Sequence, residues 1–117
     1  MNLDDVLRGL LERCPGARGA AIVDPDGIPV VAAPPDASVE LLGAELGRIL
    51  GEVRDAGREF RHGALKHFSV YAEEAIVLLT VLSGGYFLLL LLEPDALVGR
   101  ARFQSRLTGE ALHSEFI

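Results

Sequence analysis

A chain of 117 residues with net charge −6 is large enough for one core, burying about 65% of the unfolded chain's surface, and too acidic to track the phosphates of nucleic acid or dock on anionic lipid. Cys14 is the sole cysteine, which excludes an internal disulfide and a multi-cysteine zinc site and fits a reducing compartment. Half of the residues are hydrophobic, so either the core is unusually apolar or a partner covers apolar surface.

The first residues, MNLDDVLRGLL, are acidic and lack the basic start of a signal peptide, so a cytoplasmic protein is expected. Asn2 to Cys14 reads as a helix with Leu3, Val6, Leu7, Leu10 and Cys14 on one face. Asn2 caps it, Asp4 and Asp5 suit its positive end, and Pro15-Gly16 stops it. Asp24-Pro25-Asp26-Gly27 is a strong turn signal, and it predicts a hairpin of Ala20–Val23 with Ile28–Ala32. Pro34-Pro35 ends the second strand.

Ser38 to about Phe60 reads as a long helix capped by Asp36 or Ser38, with Val39, Leu42, Leu46, Ile49, Leu50, Val53 and Phe60 on one arc. Gly43, Gly47 and Gly51 recur beside that arc. Each interior glycine costs about 0.8–1.0 kcal/mol relative to alanine, so something must approach this helix closely. Either a partner helix lies in the groove they make, which is the favoured reading, or the helix sits low on its own sheet. Glu45, Arg48, Glu52, Asp55 and Glu59 fill the solvated face, with Glu45–Arg48 and Asp55–Arg58 spaced for local pairs.

Leu65–Ala72 mixes polar and apolar residues and reads as an edge strand blunted by Lys66 and His67. Ala75 to Leu92 runs 18 residues without a charge, the lower limit for a membrane span. Ser83-Gly84-Gly85 splits it into two strands, Ala75–Leu82 and Tyr86–Leu92, apolar at both parities and so covered on both faces. Pro94 to about His113 reads as a last helix. Arg102, Arg106, Glu110 and His113 form its polar stripe, opposite Leu97, Ala101, Thr108, Ala111 and Leu112. With no linker or repeat, residues 1–117 read as one α+β domain ordered α-β-β-α-β-β-β-α. Its single five-stranded antiparallel sheet carries two helices on one face and the long helix on the other.

No P-loop, metal-ligand spacing or nucleophile context occurs, so no catalytic residue, cofactor or metal is expected. His62, His67 and His113 read as surface histidines, and Cys14 as a small buried hydrophobe.

CPGARGAAIVDPDGIPVV at 14–31, the long helix at 38–60, the apolar hairpin at 75–92 and LVGRARF at 97–103 resemble the Roadblock/dynein light-chain family, in particular its bacterial MglB-like members. The resemblance covers nearly the whole chain, and profilin-like and longin-like sheets are its neighbours. It implies a non-enzymatic homodimer, or a heterodimer with a related subunit. The third strands pair across the dimer and the long helices pack together. On this chain that places the dimer interface at Gly43, Leu46, Gly47, Leu50, Gly51, Lys66, Phe68 and Val70. The implied partner is a Ras-like small GTPase, docking on Glu45, Arg48 and Glu52, with hydrolysis stimulated by remodelling the GTPase's own site. An arginine finger from Arg48, Arg54 or Arg58 is the less favoured alternative. A scaffold or motor-adaptor subunit that leaves nucleotide turnover unchanged is the rival reading, and a profilin-shaped small-molecule sensor, which needs a cavity, ranks last. The resemblance also implies a departure, since MglB-type proteins can be longer at the end where this sequence stops, Phe116-Ile117. GTPase binding is therefore expected more firmly than activation.

Overall fold

The structure, a computed structural model, describes residues 1–116; Ile117 lies outside the described residues. The elements follow the order α1 (Leu3–Arg13), β1 (Ala17–Val23), β2 (Pro29–Ala33), α2 (Ala37–Glu59), β3 (His67–Tyr71), β4 (Ile76–Val81), β5 (Phe87–Leu92) and α3 (Val98–Ala111). The strands form one sheet in the order β2-β1-β5-β4-β3, antiparallel at every junction. β2 and β3 are therefore the two edges, as expected for β3.

The 75–92 run is the β4–β5 hairpin, turned over Ser83–Gly85, and no helix among the described residues is long and apolar enough to cross a membrane. β5 lies at the centre, paired with β1 on one side and β4 on the other. Strand residues alternate between faces, which divides the interior into two cores. Leu78, Leu88, Leu90, Leu92, Ala20 and Ile22 pack under α1 and α3 with Leu7, Leu10 and Cys14. Ala21, Val23, Val77, Leu79, Phe87 and Leu89 pack on the α2 side with Val39, Leu46 and Leu50. Cys14 is buried, and burial pushes its thiol pKa up.

The β1–β2 turn forms as the sequence predicts. Asp24 Oδ1 accepts from the amides of Asp26 and Ile28, both at 2.9 Å, and Gly27 takes φ +84°. β1 begins earlier than expected. Ala17 and Gly19 pair with Leu92 and Leu91 of β5, and Arg18 holds Glu93 through two bonds of 2.7 Å. Sheet pairing thus carries Gly19 into the strand, while Gly16 stays in the preceding turn at φ +89°. The last helix begins later, because Pro94–Leu97 forms a turn in which the Ala96 amide bonds the Glu93 carbonyl. Ala101, Thr108 and Leu112 are buried as expected, joined by Ser105, whereas Leu97 and Ala111, expected on the same face, are exposed.

Asp36 is the α2 cap. Its carboxylate accepts from the Ser38 amide and the Ser38 hydroxyl, both at 2.8 Å, and these bonds hold its pKa below the usual value. A depressed native pKa stabilises the fold above the ordinary carboxylate range, and that contribution disappears as pH falls through the native pKa. Asp36→Ala should therefore lower Tm at neutral pH, and thermal melts of variant and parent should converge in strong acid.

Candidate functional site

α2 has 23 residues and so spans about 35 Å. It packs mainly on β1 and β2. Arg54 Nη2 donates to the Gly85 carbonyl at 3.2 Å, tying the helix to the β4–β5 turn. Gly57 has nothing within 4 Å of where its Cβ would stand, and Phe60 is exposed, so the last turns overhang the sheet.

The glycine row does not form one groove for a second helix. A Cβ on Gly43 would lie 2.9 Å from Val23 Cγ2. One on Gly47 would lie 3.2 Å from Gly27 Cα and 3.3 Å from the Phe87 ring. These two glycines let α2 sit low on its own sheet and hairpin turn, the reading not favoured from the sequence. Gly51 meets nothing within 4 Å. Residues four apart advance about 40° around a helix, so Gly51 has rotated off the contact that Gly47 makes. Leu46 and Leu50 are likewise buried in the chain's own core.

The flank of α2 opposite Gly47 and Gly51 carries Leu42, Ile49 and Val53. Beyond it the sheet shows Phe68 and Val70 of β3, Val81 of β4 and Leu91 of β5, all on the α2 side and all only half-buried. Of the expected interface residues, the structure brings together Phe68 and Val70 on this open face. Lys66 stands just before β3, exposed, with its carbonyl accepting from the Val81 amide at 3.0 Å. Sequence reasoning missed Val81 and Leu91 as open residues. Their signal was present, since both β4 and β5 are apolar at both parities while one helix is too narrow to cover five strands.

Glu45, Arg48 and Glu52 are all exposed on the outer side of α2, beside Leu41 at 63% exposure. Arg48 pairs with Glu45 at 3.2 Å and Arg58 with Asp55, the local pairs the spacing predicts. With Arg54 bound to Gly85, Arg48, Arg54 and Arg58 all have partners within the chain.

On the other face of the sheet, β3 and β4 diverge from α3 around a hollow of about 980 Å³, lined in part by Lys66, His67, Arg102, Phe103 and Arg106. Arg102 Nη2 donates to the Tyr71 hydroxyl at 2.7 Å. His67 Nε2 lies 2.6 Å from Ser69 Oγ. Burial, and then the Arg102 charge, push the His67 pKa down. A histidine with a depressed native pKa costs stability as pH falls below its unfolded value, because the unfolded chain binds the proton more readily. Urea melts should lose stability between about pH 7 and about pH 5, and His67→Gln should lose less over the same interval.

These features can be set against known proteins. No curated protein matches the chain in sequence. Among solved structures, the Roadblock/LC7 domain from Streptomyces avermitilis superposes with a TM-score of 0.90 at 19% identity, over 98% of each chain. The gliding protein MglB from Thermus thermophilus gives 0.84 at 17% identity, over 96% of this chain and 86% of that one. MglC from Myxococcus xanthus gives 0.69 at 27% identity, over 98% and 99%. The family model for the Roadblock/LC7 domain matches residues 3–92, from the first helix through the central strand β5. That span takes in α1, α2 and all five strands, and the chain belongs to the Roadblock/LC7 domain family.

Proposed function

We propose that residues 1–117 act as one Roadblock-type unit, a non-enzymatic dimeric regulator or adaptor of a Ras-like small GTPase. The open apolar face carries this reading. Phe68, Val70, Val81 and Leu91 are half-buried beside the Leu42–Ile49–Val53 flank of α2, and β3 has a free edge next to them. An uncovered strand edge joined to apolar surface favours a symmetric second copy. Family membership and the likeness to MglB support the assignment, and one MglB structure of this fold is described as having a tetrameric arrangement. A heterodimer with a related subunit would use the same face.

In that dimer Glu45, Arg48 and Glu52 stay on the outer side of each long helix and supply the surface for the GTPase. The residues have no catalytic task, and stimulation acts through the GTPase's own site. The test is to mix the protein with a Ras-like GTPase from the same genome, then follow elution volume and GTP hydrolysis. A complex with faster hydrolysis supports regulation. A firm complex with unchanged hydrolysis assigns a scaffold role, and no complex refutes the pairing. Arg48→Ala should weaken binding about tenfold, as one interface arginine commonly does, while hydrolysis at saturation persists. Loss of saturated stimulation with affinity intact would instead assign Arg48 as an arginine finger.

A further inference from the structure

The hollow between β3–β4 and α3 lies on the face of the sheet opposite α2, beside the β3 edge and across the sheet from Glu45, Arg48 and Glu52. Its charge opposes that of the chain. Lys66, Arg102 and Arg106 line it together with His67 and His113, against one acid, Glu110, in a protein of net charge −6. Glu110 is engaged by Arg106 at 3.1 Å. Among the described residues, Arg102 makes no ion pair; the Tyr71 hydroxyl holds its guanidinium in place. The apolar part is built from Leu82 and Phe103, and the Arg106 guanidinium sits 5.2 Å over the Phe103 ring. Phe103 remains half exposed at 49%.

We infer that this hollow is a docking site for an acidic peptide segment of a partner protein, one that carries a large apolar side chain flanked by carboxylates. Charge complementarity selects the occupant. The apolar side chain seats on Leu82 and Phe103, while the carboxylates reach Arg102 and Lys66. Arg102 is pre-oriented by Tyr71, so little side-chain freedom is lost on binding, and a guanidinium fork suits a carboxylate in two-point contact. The volume of about 980 Å³ accommodates several side chains of a peptide. The site does not depend on the GTPase reading, because Glu45, Arg48 and Glu52 are on α2, across the sheet.

The probe is a fluorescein-labelled peptide, Glu-Asp-Leu-Glu-Phe-Glu-Asp, titrated by anisotropy and by amide chemical shifts. Expected are saturable binding that weakens with salt and shifts confined to β3, β4 and α3. Arg102→Glu and Lys66→Glu should each weaken binding about tenfold, whereas Arg8→Glu, on α1 and outside the hollow, should not. Lys66→Glu alters no packed side chain, so it remains decisive if Arg102→Glu fails to fold. Both variants should still sediment like the parent and bind the GTPase, which separates this site from the β3 edge and from the proposed function. No saturation at about 1 mM peptide, equal binding of the Gln/Asn version, or equal loss in Arg8→Glu overturns the inference. It is also overturned if inorganic pyrophosphate or phosphatidylserine vesicles bind more tightly than the peptide.

Discussion

Val70→Asp is expected to leave a folded monomer and so to dissolve the dimer proposed for the parent. Val70 lies on the edge strand, half-buried on the α2 side and paired only inward, with Val77. Covering a valine fully is worth about 1.5–3 kcal/mol, and an unpaired carboxylate in its place costs more. Two copies meeting symmetrically feel the change twice, so dissociation should rise by at least about a thousandfold. Sedimentation velocity at tens of micromolar should show one species of half the parent's mass, and far-UV circular dichroism should stay native. A parent that sediments as a monomer, or a variant that sediments like the parent, would sink the dimer.

The second large effect separates the two roles the glycines were read to play. Gly47→Leu forces a side chain against Gly27 Cα and the Phe87 ring, which stand 3.2 and 3.3 Å from its first carbon. Gly27 is backbone in a constrained turn and cannot rotate away. Overpacking of this kind costs about 1–3 kcal/mol, offset by about 1 kcal/mol of helix propensity. The net loss, up to about 2 kcal/mol, should lower Tm by as much as about 10 °C for a domain of this size. Gly51→Leu meets nothing within 4 Å, keeps the propensity gain and should raise Tm by a few degrees. Melts at matched low concentration make the comparison. If Gly47→Leu instead melts like the parent while its dimer dissociates, Gly47 faces a partner helix after all.

Much of the fold was legible because local chemistry agreed with tertiary structure. Asp24 and Gly27 specify their turn by side-chain acceptance and positive φ. Ser83-Gly84-Gly85 divides an apolar run that length alone would leave ambiguous. Asn2 accepts from the Asp5 amide at 3.2 Å as a capping residue should. The misses share a cause. A helical pattern gives the angle at which a residue projects and says nothing of what lies there. Gly43, Gly47, Leu46 and Leu50 were therefore assigned to a partner, although the chain's own hairpin and strands reach them first. The start of the last helix was misplaced because Leu97 has no capping side chain to mark it. The basic hollow was hidden for a further reason. Lys66 and His67 read as blunting charges on a strand, Arg102 and Arg106 as a solvated stripe, and only the sheet order brings the two sets face to face.

The sheet ends differently on its two sides. β2 opens on Pro29, which has no amide hydrogen, and is followed at once by Pro34-Pro35; β3 carries no proline. Edge-to-edge growth into filaments requires two receptive borders per subunit, and here one of them is sealed. Association through the remaining border alone would join two copies and stop, which denies the folded, leucine-rich sheet continuous growth from edge to edge.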